Sequence, residues 1–379
     1  MNKTSDNNYN YPVRIAHVIG KMRNGGVEAV VMNYYRNINR EKIQYDFIID
    51  SDSSNKELQD EIKSLGGKII VVPPYQKFYQ YHKTLYKIFS ENHYPIVYSH
   101  LNTLSVFPLF AAWRAGIKIR VAHNHSTAGK GELKRNMIKY ALRPFAKIFP
   151  THLCACSEYA GRWLFGDKAM KSGRVKVWNN AIDTERFAYN EAVRNETRKE
   201  LNISDKFAVG HSGRFMTQKN HDFLIDIFAE IHRIRDDSVL LLAGEGPLLE
   251  RITEKVKSLG LEDSVKFLGS VHDMEKYYQA MDVFIFPSLY EGLGMSAVEA
   301  ENSGLPVLCS DQLPYDAKIS DNLHFMSLKK SALEWAEKAI SISNGHVRRN
   351  MSSYAKEHGF DIKSQAVKLY EWYCELLGI

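Results

Sequence analysis

At 379 residues the chain is long for one hydrophobic core, and two domains are expected. Hydrophobic residues at 44% and charged residues at 25% are ordinary for a globular protein, and no apolar run reaches the ~18–20 residues that cross a bilayer, which excludes a membrane-spanning helix. The net charge of +6 hides an asymmetry: residues 1–180 hold 27 Lys and Arg against 13 Asp and Glu, a balance of +14, while the remainder holds 23 against 31, a balance of −8. A basic first half suits an anionic surface or a diphosphate-linked partner; no nucleic-acid module accompanies it, so no nucleic acid is expected. The four cysteines, Cys154, Cys156, Cys309 and Cys374, are too scattered for a disulfide framework and suit a reducing cytosol. Cys154 and Cys156 alternate along one strand and are expected as buried thiols facing one side.

The polar opening, MNKTSDNNYNYP, lacks the apolar stretch of a signal peptide, so residues 1–12 read as a disordered lead-in. From residue 13 short apolar strands alternate with helix-length segments. Strands are expected over 13–19, 45–49, 68–72, 96–99, 119–123, 153–155 and 175–178, with helices between them, such as 27–38 and 103–115. The rhythm restarts with strands over 208–211, 239–243, 265–268 and 282–286 and helices over 221–234, 247–258 and 274–280. Each run predicts an α/β fold, a doubly wound, Rossmann-like parallel sheet. The expected domains are 13–188 and 206–358, joined by a polar linker over 189–205 that carries a short helix. Residues 359–379 form a final amphipathic helix with Ala366, Leu369, Tyr370 and Tyr373 at helical spacing.

Several loops between these elements carry chemistry. Gly25 and Gly26 open the first helix, and two residues without Cβ allow a close backbone approach to phosphate as readily as they make a turn. Asp50-Ser51-Asp52 has a D-x-D metal pattern, common by chance. His123 and His125 are two apart in VAHNHST; with no third ligand nearby in sequence they make a weak metal pair, and no metal is expected. His100, at the end of the preceding strand, lines the same end of the sheet or is structural. KGELKRNMIKYALRPFAKIF places Leu133, Met137, Ala141 and Phe145 on one stripe, with Lys134, Arg135, Lys139, Arg143 and Lys147 elsewhere. That pattern fits a core-packed helix with a charged outer face, and also docking to anionic lipid headgroups. Arg214 and Lys219, five apart in HSGRFMTQKNHDF, sit between a strand and a helix, where paired cations neutralise a diphosphate and stabilise it as a leaving group. Gly244 and Gly246 end a strand in LLAGEGPL and have a structural role.

The most informative stretch is FPSLYEGLGMSAVEAENSGLPVLCSD. A strand ends at Pro287, a loop carries Glu291, Gly292, Leu293 and Gly294, and a helix beginning near Met295 brings in Glu299 eight positions after Glu291. Ligands of open α/β sheets sit beyond the carboxyl ends of strands, and a glycine turn leading into a helix favours an anion. Glu299, about one turn into the helix, can accept from ribose hydroxyls, and Glu291 from hydroxyls further along the ligand. Together they describe a nucleotide-sugar pocket.

This stretch resembles the E-x7-E signature of the retaining GT-B glycosyltransferases of family 4, which build capsules, exopolysaccharides and lipid-linked glycans. HSGRFMTQK is similar to that family's G-R-x4-K pattern. VWNNAID is similar to its P-N-G-I-D box, with Asn179 for proline and Ala181 for glycine, while Asn180, Ile182 and Asp183 stand. The resemblance runs over nearly the whole chain from residue 13. It implies GT-B architecture, two Rossmann-like domains with a cleft between them and a last helix crossing back to the first. It further implies a UDP-sugar donor, no cofactor or metal, and a glycan or polyprenyl-diphosphate-linked acceptor. Catalysis would rest on His125, Arg214, Lys219 and Glu291. Donor binding would use Gly25, Gly26, Asn180, Leu268, Gly292, Leu293, Gly294, Met295 and Glu299, with Leu268 near the base through its backbone. A cytoplasmic protein, peripheral on the membrane's inner face, is expected. The competing readings are a nucleotide-sugar 2-epimerase or hydrolase on the same fold and a non-catalytic sugar-nucleotide binder. A dinucleotide dehydrogenase is disfavoured, because no G-x-G-x-x-G follows the first strand.

Overall fold

The structure, a computed structural model, describes residues 11–22, 26–50, 56–126 and 133–379. Short runs rich in Val, Ile and Leu form parallel strands, most of them buried along their length because both faces of such sheets are covered. Strands β1 (Val13–Gly20), β2 (Ile43–Ile49), β3 (Lys68–Val71), β4 (Ile96–Ser99), β5 (Ile119–Asn124), β6 (His152–Ala155) and β7 (Val175–Val177) make one sheet, ordered β3-β2-β1-β4-β5-β6-β7. Strands β8 (Phe207–Ser212), β9 (Ser238–Ala243), β10 (Val265–Gly269), β11 (Val283–Phe286), β12 (Val307–Ser310) and β13 (Leu323–Met326) make another, ordered β10-β9-β8-β11-β12-β13. The expected strands all form. β12 and β13 were not anticipated, being four residues each with no period to separate them from loop.

Both sheets are doubly wound, as expected, and each reverses its winding once, between β1 and β4 and between β8 and β11. At that point the flanking loops diverge and leave a crevice at the carboxyl ends of the strands. The described residues up to Ala181, with Ile362–Ile379, form one compact unit, and Ile182–Asp361 form the other.

Residues 189–205 are not a free linker. They belong to the second unit, where the helix Glu191–Glu200 is capped by the Asn190 side chain and tied down by ion pairs. Arg194 and Arg198 both reach Asp282 from this helix, and Arg198 also donates to the Ala280 carbonyl at 2.7 Å. The charge that suggested a solvated linker is used in packing. The chain passes between units at Ala181–Ile182 and again at Asp361–Ile362, and Ile182 pairs in parallel with Asp361.

In the first unit, one face of the sheet is covered by the helices Gly26–Asn37 and Ile362–Leu377, whose Val30, Val31, Tyr34, Leu369 and Tyr373 pack on Ile15, Tyr45, Phe47 and Tyr98. Cys154 lies in this layer, whereas Cys156 packs in the layer on the other face with Leu153 and Ala155. The expectation that both thiols face one side fails because β6 ends at Ala155 and the chain turns before Cys156.

Candidate functional site

In the second unit, the loops after β8 and β11 meet at the winding reversal. After β8 the chain runs through Gly213 and Arg214 into a single 3-10 turn, Thr217–Lys219, and then Asn220 with φ 56° at the start of the helix His221–Ile234. Asparagine tolerates that left-handed backbone better than most residues. Its amide Nδ2 donates to the Pro287 carbonyl at 3.2 Å, fastening this turn to the end of β11. The Leu289 amide donates to the Gln218 carbonyl at 2.8 Å, and Gln218 Nε2 reaches both the Tyr290 carbonyl at 3.0 Å and Glu291 Oε2 at 3.2 Å.

That clamp brings Lys219 Nζ to 2.7 Å from Glu291 Oε1, with both side chains largely shielded, and sets the ammonium 4.5 Å from the centre of the Phe286 ring. Two residues 72 apart in sequence thus form one charged pair. Gln218 and Asn220 were missed by sequence reasoning. Their signal was only adjacency to Lys219 and the tolerance of Asn for positive φ.

Gly294 caps the helix Met295–Asn302 with φ 90°, and a Cβ there would stand 2.2 Å from Leu313. Glycine is therefore required, and the helix N-terminus begins directly behind the loop. Glu299 Oε2 accepts from the Tyr278 hydroxyl at 2.9 Å, and burial pushes its carboxyl up to about 7. Tyr278, wholly buried, is a third residue the sequence did not single out.

The remaining expected donor-side residues differ in what they offer. Arg214 is exposed and holds no ion pair among the described residues, so its guanidinium is not joined to the Lys219–Glu291 pair. Leu293 is buried in the core, leaving only its backbone for a ligand, and Met295 and Leu268 pack partly against the same core. Gly244 (φ 137°) and Gly246 (φ 158°) press against the Arg214 loop: a Cβ at Gly244 would lie 2.2 Å from the Gly213 carbonyl oxygen.

In the first unit, Gly26 opens its helix, and a Cβ there would meet no atom of the described residues within 4 Å. Gly25 lies outside the described residues, as do Ser51 and Asp52 of the D-x-D pattern. Asn180 is buried, and its Oδ1 has no hydrogen-bond partner among the described residues. His125 follows β5; its backbone amide donates to Asn102 Oδ1 at 2.6 Å and its Nε2 lies 2.9 Å from His100 Nδ1. Burial pushes the His125 imidazole down to about 3.

The third ligand that sequence spacing did not supply comes from tertiary structure. His100 joins His123 and His125, with one nitrogen from each within 4.8 Å of the others, the one such group among the described residues. The helix Leu133–Leu142 also departs from its core-packed reading. Met137 is 69% exposed, and Ile138, Tyr140 and Phe145 are also exposed beside Lys139, Arg143 and Lys147.

Two family models match the chain: Glycosyltransferase Family 4 over residues 24–186 and Glycosyl transferases group 1 over residues 193–358. The Bacillus subtilis (strain 168) protein EpsF, which carries a glycosyltransferase name, is 35% identical over 333 residues, covering 86% of each chain. The Staphylococcus aureus capsular polysaccharide biosynthesis glycosyltransferase CapH is 23% identical, over 95% of this chain and 98% of its own. The Escherichia coli UDP-Gal:alpha-D-GlcNAc-diphosphoundecaprenol alpha-1,3-galactosyltransferase is 22% identical, over 96% of this chain and 97% of its own. Among solved structures, Anabaena Alr3699/HepE in complex with UDP-glucose has the same fold, with a TM-score of 0.78 at 19% identity, over 96% of this chain and 99% of its own.

Proposed function

The chain belongs to the family 4 glycosyltransferases, enzymes of the kind that serve polysaccharide biosynthesis, and from that premise we propose that it moves a sugar from a UDP-sugar to a glycan or polyprenyl-diphosphate-linked acceptor, with retention and without a metal ion. The observation that carries this reading is the Lys219–Glu291 pair, clamped by Gln218 at the winding reversal of the second unit. An arriving diphosphate competes with Glu291 for the ammonium. Lys219 then turns to the phosphates, where negative charge grows as the bond to the sugar breaks, and Glu291 is released to accept from sugar hydroxyls. Arg214, exposed and without an ion pair among the described residues, supplies a second cation, and the amides behind Gly294 a third positive field. Glu299 accepts from the ribose. The departing phosphate takes the proton of the incoming hydroxyl on the face it leaves, so no separate protein base is needed.

The choice of UDP draws support from a UDP-Gal-dependent galactosyltransferase among the relatives and from a UDP-glucose complex among the structures of the same fold. The helix Leu133–Leu142, with its exposed Met137, Ile138 and Tyr140, supports docking to an anionic membrane surface on the cytoplasmic side, where a lipid-linked acceptor would lie. No helix among the described residues is long and apolar enough to cross a membrane.

Thermal unfolding against UDP, GDP, ADP, CMP and NAD, each with and without EDTA, tests the donor. Ligand at 100 times its Kd stabilises the folded state by about 2.7 kcal/mol, a readable rise in Tm. A UDP-selective, EDTA-insensitive rise is expected. A rise with GDP or ADP alone overturns the donor class, EDTA sensitivity overturns metal independence, and no rise with any nucleotide overturns the site. Retention is read from the anomeric configuration of the transferred sugar.

A further inference from the structure

Four histidines lie on or near one face of the first unit's sheet, and the family resemblance uses only one of them. His17 on β1, His100 directly after β4 and His125 directly after β5 stand where that sheet reverses its winding, the place at which an open α/β sheet receives ligands. His17 Nδ1 lies 3.0 Å from His100 Nε2, and His100 Nδ1 lies 2.9 Å from His125 Nε2. The His17 and His100 ring planes differ by 15° and those of His100 and His125 by 33°, with ring centres 5.3 and 5.2 Å apart, a separation that suits edge-to-edge imidazole hydrogen bonds rather than stacking. Burial holds all three imidazoles far below their ordinary range, so at neutral pH each is uncharged and carries a single N–H.

That stoichiometry leaves two arrangements. Each contact needs one proton, and His100 has one to give. With that proton on Nε2, His100 donates to His17, and His125 must donate back from its own Nε2. All three rings are then Nε2–H tautomers, and His125 Nδ1 is a bare acceptor. With the proton on Nδ1, all three are Nδ1–H tautomers and His125 Nδ1 becomes a donor. Three tautomers behave as one variable.

The free ends of this string are His17 Nε2 and His125 Nδ1, both buried and without a hydrogen-bond partner among the described residues, as is Nε2 of the neighbouring His123. These histidines line a common cavity of about 20 Å³, room for one water-sized group. Tyr45 and Tyr373, whose hydroxyls meet each other, line the same space. A metal ion on His100, His123 and His125 fits less well. Both nitrogens of His100 are already engaged, and the His123 and His125 rings stack at 4.0 Å and 24°, so their in-plane lone pairs run side by side rather than converge.

We propose that His17, His100 and His125 form a hydroxyl-binding site whose polarity is set by their shared tautomer, with His17 and His100 as positioning residues that decide whether His125 Nδ1 accepts from or donates to the bound O–H. The guest is a water or a hydroxyl of a bound sugar; only the latter source rests on the glycosyltransferase reading. The string orients and does not store a proton. Passing one inward would leave a cationic imidazolium at His17, in the unit's interior, which burial opposes.

Full chain labelled with [15N]histidine reports each ring's tautomer through long-range 1H–15N correlation, with signals assigned by single substitutions. One common tautomer across the three rings is expected; mixed tautomers, or an imidazolium at neutral pH, overturn the proposal. His17→Phe keeps a ring between Tyr45 and Tyr98, on which His17 stacks at 3.8 and 5.2 Å, while removing both nitrogens. It is expected to change the His125 tautomer, and His17→Asn, with a donor and an acceptor near the Nδ1 position, to restore it. An unchanged His125 ring in folded His17→Phe also overturns the idea. A further shift of His125 with UDP-glucose beyond that with UDP identifies a sugar hydroxyl as the guest; equal responses, or none, identify a resident water. Ring signals do not depend on turnover, so a chain without transferase activity but with one common tautomer loses the proposed function and keeps the site.

Discussion

A lysine and a glutamate 2.7 Å apart and shielded from water hold each other's charge until a stronger anion competes. Removing either leaves the other exposed to that competition alone, and the diphosphate loses its nearest cation or the sugar its acceptor. Lys219→Ala and Glu291→Ala are each expected to lower kcat by on the order of 10²-fold, measured by nucleotide release with folding checked by circular dichroism. Turnover at the wild-type rate in either variant would remove both residues from the mechanism. Glu299 adds a pH signature. Its carboxyl is pushed up to about 7 by burial, so it gains its charge as pH rises through neutrality, and the carboxylate accepts ribose hydrogen bonds better than the acid. UDP affinity is expected to strengthen between pH 6 and pH 8 and to lose that trend in Glu299→Gln; a titration series by calorimetry decides.

At the scale of elements, loops gain their precision from backbone that only glycine permits. Gly244→Ala would force a Cβ to 2.2 Å from the Gly213 carbonyl at φ 137°, and both faults fall on the loop that carries Arg214. A loss of about 1–3 kcal/mol is expected from denaturant unfolding, together with weakened UDP binding. The helix Leu133–Leu142 tests a different balance, exposed apolar side chains against flanking charge. Sedimentation with anionic vesicles is expected to exceed that with neutral ones and to weaken with salt. Lys139→Ala with Arg143→Ala removes two charges near the surface at about 1 kcal/mol each, roughly a thirtyfold loss in partition. Equal sedimentation with neutral vesicles would assign the exposed side chains another role.

For the whole molecule, buried histidines and buried glutamates respond to pH in opposite senses. His17 and His125 are pushed down to about 3, and His100 and His123 well below their ordinary range, all by burial. The unfolded chain binds protons there first, so this contribution is present above the ordinary value of about 6.5 and is lost as pH falls below it. Glu299 and Glu301 are pushed up to about 7, so their contribution is present below about 4.5 and is lost as pH rises through 7. His17→Phe is expected to flatten the acid side of a Tm–pH curve and Glu299→Gln the alkaline side; variants that leave the slopes unchanged would show that other groups govern them. Much of this molecule was legible beforehand. The βαβ rhythm, the winding of both sheets and the spacing of Lys219, Glu291 and Glu299 follow from apolar period, glycine and local charge, which act over a few residues and are written in order along the chain. The pairing of Lys219 with Glu291 through Gln218, the packing of 191–200 onto Asp282 and the meeting of His17, His100, His123 and His125 were decided by tertiary structure alone. His17 and His123 lie within strands and His100 and His125 directly follow them, but only the order β1-β4-β5 made these positions neighbours, and strand order depends on burying two whole faces of a sheet at once.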